Sequence, residues 1–321
     1  MTTNGRAAGQ AVREARTLHR PSGRTGYGLA LAATTVSLWS ILPIGLKIAL
    51  TALDAMTLTW VRFVVATVVL TSVLRSRGSM PPVGKLMRHD WWLLAVAAFG
   101  LAGNYGFYSL GLHYTNAGTA QVVIQIAPML FTLGGLFVFG ESFSATQWTG
   151  LGVLVAGMAL FSREQIASMT AGLDRYYAGL AFIVAGAVTW AAYGLAQKQL
   201  LQRLGAPQIM VLLYAAGALL FLPLATPRLL FSMNGVQSAA LVFCCANMVL
   251  SYASFSEALA HVEASRLSAL LASVPLGTLA AVHAASLLAP SLFAPEAVTV
   301  TGIIGAALVV CGSLMSSLAK S

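Results

Sequence analysis

Long apolar runs dominate this chain and restrict it to a membrane fold. A helix of about 20 apolar residues crosses a hydrocarbon core of about 30 Å. Only 8% of the 321 residues are charged, whereas soluble domains average about 25%. The sequence therefore predicts an all-α integral membrane protein with ten transmembrane helices, at roughly 27–48, 55–74, 91–112, 117–139, 145–162, 177–200, 207–226, 237–260, 265–288 and 298–318.

The distribution of positive charge predicts the topology. Residues 1–26 are polar, contain five arginines and include no apolar core of a signal peptide. If this basic tail is cytoplasmic, most of the Lys and Arg residues in the loops fall on the same side, as the positive-inside rule requires. Both ends of the chain, including 319–321, are then cytoplasmic. Topology also explains the net charge of +9 without a nucleic-acid partner.

The two halves of the chain match one another at an offset of about 150 residues. The informative pairs are Trp39 with Trp190, Lys47 with Lys198, Tyr105 with Tyr252, and Pro128 with Pro275. We interpret the chain as two five-helix repeats, 27–163 and 177–318, joined by a loop at 164–176. Five crossings invert the second repeat relative to the first, an arrangement that is characteristic of secondary transporters.

Pro128 and Pro275 lie near the middle of the fourth and ninth spans. A proline lacks an amide donor and clashes with the carbonyl four residues earlier, here that of Ile124 or Leu271. In a membrane a freed carbonyl is tolerated only where protein, water or a cavity meets it. The two prolines therefore predict either gating bends beside a central path or simple packing kinks.

Three stretches of the first repeat carry a family resemblance: TLTWVRFVVATVVL with Arg62, FYSLGLHYTNAGTAQVVIQIAP, and FVFGESFSATQWTGLGVLVAGMAL with Glu141. Together they resemble the drug/metabolite transporter superfamily, in its ten-span EamA-type branch of metabolite exporters. The second repeat has Leu213 in place of Arg62 and lacks the glutamate turn. We therefore interpret Arg62 and Glu141 as serving structure or topology on the cytoplasmic side.

The resemblance implies a transporter of the bacterial inner membrane that exports small metabolites by alternating access. Within the superfamily, the chain looks most like the aromatic amino-acid exporters. We expect amino acids with aromatic or apolar side chains as substrates. The alternatives are drug or toxic-compound efflux, a sugar-phosphate or nucleotide-sugar carrier, and a channel. The expected partners are the substrate and the lipid bilayer, with a monomer as the default assembly.

Aromatic and amide side chains in the middle of the spans are the candidate binding residues. A small-molecule pocket combines flat apolar surfaces with a few hydrogen-bonding groups. We predict that a central cavity is lined by Trp39, Asn104, Tyr105, Tyr108, Gln121, Gln125, Trp190, Tyr193, Asn247, Tyr252 and Phe255, with Ser265, Ser268 and Ser273 as further candidates. The alternatives are helix packing for the tryptophans and interhelical hydrogen bonds for the polar residues.

Charged residues near the membrane have several possible roles. Lys47 and Lys198 are expected at opposite interfaces, where they either snorkel or form a symmetric charged gate. His283 and Glu257 are candidates for proton coupling, so that antiport and facilitated flow both stay open. The span centres contain no nucleophile with its base, no paired carboxylates and no metal-ligand spacing. We therefore predict no enzyme activity, no metal and no cofactor, and we interpret the three cysteines as small buried residues.

Overall fold

The computed structural model describes residues 24–139, 144–167, 173–262, 267, 270–288 and 300–318. All regular structure within these ranges is helical, which confirms the all-α prediction. The helices are α1 (Thr25–Ala49), α2 (Ala55–Ser76), α3 (Arg88–Tyr114), α4 (Ala117–Val123), α5 (Ile126–Phe139), α6 (Ala145–Ala167), α7 (Leu173–Leu200), α8 (Ala206–Phe221), α9 (Gly235–His261), α10 (Val274–Leu288) and α11 (Val300–Leu318). Short 3₁₀ turns lie at Val83–Lys85, Leu222–Leu224 and Pro227–Ser232.

Six segments among the described residues are long and apolar enough to cross a membrane. They are α1, α2, α3, α7, Ala206–Leu224 and α9. Four shorter apolar segments correspond to the other predicted spans: Ala117–Phe131, Ala145–Phe161, Val274–Leu288 and Val300–Met315. The observed helices therefore follow the predicted spans in order, although the number of crossings remains a prediction.

Some helices extend beyond the spans that the sequence predicts. α6 continues to Ala167 and α7 begins at Leu173, so both helices enter the predicted loop 164–176. Asp174 lies in the first turn of α7, where a negative charge stabilises the helix N-terminus. At α2 the predicted start is observed, because Asp54 Oδ1 accepts hydrogen bonds from the amides of Met56 at 2.9 Å and Thr57 at 2.8 Å.

The fourth predicted span is divided into two helices. α4 ends at Val123 and α5 begins at Ile126, shortly before Pro128. Because Pro128 has no amide hydrogen, the carbonyl of Ile124 accepts a hydrogen bond from the amide of Ala127 instead, at 2.8 Å. This tighter i to i+3 bond satisfies the carbonyl and turns the chain.

The helices of the two repeats pack in equivalent pairs. α3 of the first repeat lies along α7 of the second. The equivalent helices with the repeats exchanged, α9 of the second and α1 of the first, also pack extensively. α5 contacts α7 as α10 contacts α1. The pairs α2 with α8 and α6 with α11 each join one helix to its own counterpart. The packing thus has the twofold pattern that a duplicated sequence predicts.

Two equivalent glycines allow close approach in the pairs α3 with α7 and α9 with α1. A Cβ atom on Gly179 of α7 would lie 2.6 Å from Cγ2 of Thr115 at the end of α3. A Cβ atom on Gly28 of α1 would lie 2.9 Å from Cβ of His261 at the end of α9. Larger residues would separate both pairs, and small residues at helix interfaces are typical of membrane proteins.

Many large apolar side chains lie on the outside of the helices. Val68, Phe99 and Leu219 are 60%, 65% and 71% exposed. Such a surface is unfavourable in water, but it matches the hydrocarbon interior of a bilayer. Trp91 and Trp92 are also exposed, near the start of α3. This is the position expected for tryptophans in the headgroup region.

Candidate functional site

A cavity opens between the helices of the two repeats. It contains about 680 Å³ that protein atoms do not occupy, including space open to solvent. Its wall includes Pro128 and eight of the predicted binding residues: Trp39, Asn104, Tyr105, Tyr108, Gln121, Gln125, Trp190 and Tyr252. We call this space the central cavity. Equivalent residues of both repeats meet there.

Aromatic rings form one side of the central cavity. The ring centroids of Trp39 and Trp190 lie 6.3 Å apart at an interplanar angle of 76°. The Tyr252 centroid lies 5.4 Å from that of Trp39 and 5.4 Å from that of Tyr105. Aromatic pairs at such distances attract one another in addition to burying apolar area. The tryptophans therefore pack on each other and line the cavity at the same time.

Two predicted binding residues support this aromatic side from behind. The Phe255 centroid lies 5.5 Å from that of Trp39 and 5.5 Å from that of Trp190. The fully buried Tyr193 lies 6.4 Å from Trp190 and 6.1 Å from Tyr252. Neither is among the residues that line the cavity. Because their rings hold the lining rings in place, their role in this structure is positional.

Two asparagines connect equivalent pairs of helices. Asn104 of α3 donates through Nδ2 to the carbonyl of Gly186 on α7, at 3.0 Å. Asn247 of α9 donates through Nδ2 to the carbonyl of Leu38 on α1, at 2.7 Å. Asn104 also lines the cavity, whereas Asn247 does not. For Asn247, the structure therefore shows the interhelical hydrogen bond that was the alternative to a cavity role.

Gln125 supplies a donor to the carbonyl that Pro275 frees. The carbonyl of Leu271, four residues before Pro275, accepts a hydrogen bond from Gln125 Nε2 at 3.2 Å. The chain turns at 272–273, and α10 begins at Val274. A side chain of the first repeat thus satisfies a carbonyl of the second, which meets the requirement for a freed carbonyl inside a membrane.

Gln121 does the same for a proline in α1. Pro43 lies inside this helix, and the carbonyl four residues earlier belongs to Trp39. Gln121 Nε2 donates to that carbonyl at 3.3 Å. The two glutamines, one turn apart, therefore attach the fourth span to two proline-containing segments. A proline inside the first apolar run is the sequence signal that could have indicated this bond.

The structure corrects the interpretation of Arg62 as a residue serving structure or topology on the cytoplasmic side. Its side chain lines the central cavity and the residue is only 1% exposed. Its guanidinium carbon lies 4.6 Å from the centroid of the Tyr105 ring. α2 begins at Ala55, so that Arg62 is about 10 Å along the helix at 1.5 Å per residue. Two turns inside an apolar span, an arginine is a functional candidate by default.

Arg62 introduces a charge into the central cavity that no other described lining residue balances. Within the described part of the chain, its buried Nε and Nη2 atoms have no hydrogen-bond partner. No other described lining residue is charged. The equivalent position of the second repeat holds Leu213, which is 1% exposed. The first repeat therefore places a charge in the cavity wall, whereas the equivalent position of the second repeat holds an uncharged residue.

The remaining lining residues are apolar: Leu42, Ile124, Ala127, Leu271 and Val274. None of these five residues is among the binding residues predicted from the sequence. Nothing in the sequence separates these residues from the many other aliphatic residues of the spans. Their positions follow from the turns at 124–125 and 272–273, which place backbone and side chains beside the cavity.

The charged gate and coupling candidates lie elsewhere. Lys47 is half-buried, and its Nζ donates to the carbonyl of Thr115 at the end of α3. Lys198 is half-buried in the last turn of α7. His283 is exposed on α10. The Oε1 atom of Glu257 lies 3.2 Å from Nε2 of His261 at the end of α9. None of these four candidates is among the residues that line the central cavity.

Four further sequence candidates are not placed in this site by the described residues. Glu141, Ser265 and Ser268 lie outside the described residues. Ser273 is exposed and donates to the carbonyl of Leu270 at 2.7 Å. Among the described residues, no group of three or more His, Cys, Asp or Glu side chains could hold a metal ion.

The cysteines agree only in part with their expected burial. Cys244 and Cys245 are buried, as expected for small residues in helix interfaces, but Cys311 is exposed. A thiol is apolar enough to face lipid, which explains why burial is not required at Cys311.

Two segments of the chain, residues 26–163 and 177–318, each match the model of the EamA-like transporter family. This chain belongs to the EamA-like transporter family. It is 34% identical over 296 residues to the "Uncharacterized inner membrane transporter YhbE" of Escherichia coli K12, covering 92% of each protein. The predicted family is therefore confirmed, and with it the assignment as a transporter and not an enzyme.

Two more distant comparisons add to this family assignment. The EamA-like transporter is 27% identical over 196 residues to the "Probable terminal-alkyne amino-acid exporter" of Streptantibioticus cattleyicolor, covering 61% of this chain and 62% of that one. It is also similar to a solved crystal structure at a TM-score of 0.63 and 19% identity, covering 93% of this chain and 98% of the other. This similarity indicates a shared fold.

Proposed function

We propose that this EamA-like transporter exports small amphiphilic metabolites, most specifically amino acids with aromatic or apolar side chains. The observation that carries this proposal is the central cavity, where aromatic rings of both repeats surround a few polar groups. The repeats would move around a bound molecule and open the cavity to each side in turn. Inverted repeats with a binding site at their interface are the usual basis of such alternating access.

The polar groups of the cavity are suited to an amino acid. Gln121 and Gln125 use their Nε2 donors for backbone carbonyls, which leaves the Oε1 atom of each side chain as an acceptor. Amide oxygens can accept hydrogen bonds from an ammonium group. The rings of Trp39, Trp190 and Tyr252 provide the flat surface for an aromatic or aliphatic side chain.

The names of the relatives support the location and the substrate class. The Escherichia coli relative is named as an inner membrane transporter, which supports placement in the inner membrane. The Streptantibioticus relative is named as an amino-acid exporter, which supports amino acids as the cargo. Cytoplasmic termini, an inverted second repeat and a role for His283 or Glu257 in proton coupling remain parts of the same proposal.

The alternative substrate classes fit the cavity less well. A sugar phosphate or a nucleotide sugar carries several negative charges, whereas Arg62 is the one charged residue among the described lining residues. Many drugs that undergo efflux are cations, and a buried arginine repels cations. Both classes belong in a transport assay as competitors, and we expect them to compete weakly.

Counterflow in proteoliposomes tests the proposed function. We expect saturable exchange of labelled phenylalanine, tyrosine, tryptophan or leucine, and little exchange of lysine or glutamate. Trp190→Ala should raise the half-saturation concentration about tenfold, because loss of aromatic contact and apolar area costs about 1–2 kcal/mol. Trp92→Ala is the matched control, because Trp92 is 67% exposed on the outer surface.

Two results would contradict this proposal. The first is the absence of exchange for every amino acid while a phosphorylated sugar or a cationic drug exchanges rapidly. The second is an unchanged half-saturation concentration in Trp190→Ala protein that elutes as a folded species from a sizing column.

A further inference from the structure

The charge of Arg62 is the feature of the central cavity that the proposed function leaves unexplained. The side chain is buried inside a membrane-spanning helix, and no carboxylate among the described lining residues balances its charge. A buried cation that lacks a counter-ion is strongly unfavourable. The adjacent cavity provides a place for an anion from solution.

The guanidinium has the geometry of a carboxylate-binding group. Its Nε and Nη2 atoms are both without a partner among the described residues. The N–H groups of these two atoms lie along one edge of a planar guanidinium and match the two oxygens of a carboxylate. Tyr105, whose ring centroid is 4.6 Å from the guanidinium carbon, contacts the group through a cation–π interaction.

We infer that Arg62 binds the carboxylate of the transported molecule and thereby selects organic carboxylates with one aromatic or apolar group. This inference rests on the proposed function and specifies its substrate class. Because the described lining residues include no acidic side chain, an ammonium group on the substrate meets only neutral acceptors. A carboxylic acid without an amino group should therefore bind at least as well as the amino acid.

The inference also explains the difference between the repeats. Leu213 occupies the equivalent position of the second repeat and is buried. One guanidinium can balance one carboxylate, so a bound monocarboxylate neutralises the cavity. A second cationic side chain, in place of Leu213, would leave a positive charge in the cavity after the same ligand has bound. The single arginine therefore matches a ligand with a single negative group.

Three ligands with the same phenyl ring separate the contributions of the carboxylate and the ammonium. Phenylalanine carries both groups, 3-phenylpropionate carries the carboxylate alone, and 2-phenylethylamine carries the ammonium alone. Isothermal titration of the purified full-length protein in detergent gives their dissociation constants. We expect 3-phenylpropionate to bind as tightly as phenylalanine or more tightly, and 2-phenylethylamine to bind at least tenfold more weakly.

Substitution of Arg62 tests the assignment to this residue. Arg62→Gln should weaken binding of both carboxylates by about 10- to 100-fold, because charge-assisted hydrogen bonds are lost, and should leave 2-phenylethylamine unchanged or tighter. Arg62→Lys should recover part of the affinity, since it keeps the charge but loses the two-pronged geometry. Arg75→Gln is the matched control, because Arg75 is exposed in the last turn of the same helix.

The possible failures can be distinguished. If wild-type protein exchanges aromatic amino acids but folded Arg62→Gln binds both carboxylates with wild-type affinity, the inference is wrong and the proposed function stands. The same holds if wild-type protein binds 2-phenylethylamine as tightly as phenylalanine. If wild-type protein binds none of the three ligands, the proposed function fails and the inference fails with it. Should Arg62→Gln not fold, the wild-type ranking and Arg62→Lys decide the question.

Discussion

Individual polar residues of the EamA-like transporter supply hydrogen-bond donors to carbonyls that prolines leave free inside the membrane. Gln125 donates to the carbonyl of Leu271, and Gln121 donates to the carbonyl of Trp39. In each case a proline four residues later has removed the normal backbone donor. The bends therefore do not leave unsatisfied carbonyls, which would each be costly away from water. The glutamines that we predicted from sequence as binding residues thus also have a structural function.

A double-mutant cycle between Gln125 and Pro275 measures this function. Gln125→Leu should lower the free energy of unfolding by about 1–3 kcal/mol, because the Leu271 carbonyl is left without a donor. In a Pro275→Ala background, the restored amide of residue 275 can satisfy this carbonyl, and Gln125→Leu should then cost much less. Thermal unfolding of all four proteins in detergent provides the measurement. An equal loss in both backgrounds would contradict the pairing.

Individual lining residues of the central cavity also show how far the sequence determines the site. Tyr105, Tyr252 and Trp190 stand out in the sequence because aromatic residues are unexpected in the middle of a span, and all three line the cavity. Arg62 was equally visible, but the absence of an arginine from the second repeat suggested a role outside the site. Which atoms approach Arg62 depends on the packing of α2 against other helices, and the sequence of α2 alone does not contain this information.

At the scale of whole elements, small residues determine which helices can pack closely. Gly28 and Gly179 occupy equivalent positions, and each lies against the last turn of the partner helix or the residue that follows it. Glycine is conserved between the repeats at the position where a side chain would push α7 away from α3 or α1 away from α9. The two glycines are 151 residues apart in the sequence, close to the offset between the repeats, but only the structure identifies the residues that they contact.

Two glycine-to-alanine changes test the importance of this close approach. Gly179→Ala should lower the free energy of unfolding by about 1–3 kcal/mol, because the new Cβ would overlap Thr115 and force the helices apart. Gly152→Ala in α6 is the matched control. Among the described residues, no atom outside its own helix lies within 4 Å of a Cβ at Gly152, so that this change should be neutral or stabilise by up to about 1 kcal/mol.

Thermal unfolding and the yield of folded protein in detergent distinguish the two variants. Similar behaviour of Gly179→Ala and Gly152→Ala would show that the contact between α3 and α7 tolerates a wider separation than the structure implies.

The fourth span illustrates what sequence patterns cannot locate within an element. Pro128 predicts an interruption of the helix, and the structure places it at 124–125, between α4 and α5. Proline excludes the normal bond to Ile124, but the geometry by which the chain compensates depends on its neighbours. Here the amide of Ala127 takes over, a local rearrangement that hydrophobic periodicity does not encode.

At the scale of the whole molecule, two ties connect the repeats at equivalent positions. Arg203, between α7 and α8, donates to Asp90 Oδ2 of α3 at 3.1 Å. Thr51, between α1 and α2, accepts a hydrogen bond from Gln237 Nε2 of α9 at 2.9 Å. The first repeat thus holds the loop between α7 and α8 through an ion pair. The second repeat holds the loop between α1 and α2 through a neutral hydrogen bond. If the repeats are inverted, these ties lie on opposite sides of the membrane.

Loss of either tie should open the corresponding end of the transporter. Arg203→Gln should increase access to the cavity from the Arg203 end by up to about fivefold, since a half-exposed ion pair contributes about 0.2–1 kcal/mol. Thr51→Val, which keeps the shape of the side chain, should increase access from the other end. Ala127→Cys, in a protein whose native cysteines are replaced by alanine, reports access from within the cavity wall.

An impermeant thiol reagent applied to one side of proteoliposomes at a time gives the labelling rates. The two substitutions should raise these rates on opposite sides. Unchanged rates on both sides for both variants would show that neither tie restrains opening.

The presence of Arg62 in one repeat and Leu213 in the other has a kinetic consequence. In a fully duplicated carrier the routes from the two compartments would be interchangeable, and loading from either compartment would require the same concentration. A cation that only one of the two equivalent positions, 62 and 213, supplies removes this equivalence, so half-saturation concentrations on the two faces need not agree. In a carrier without an energy source the maximal velocities must then differ by the compensating ratio, because no net flow can occur at equal concentrations. Such a carrier would reach a higher maximal velocity in one direction than in the other, although no energy source drives transport in that direction.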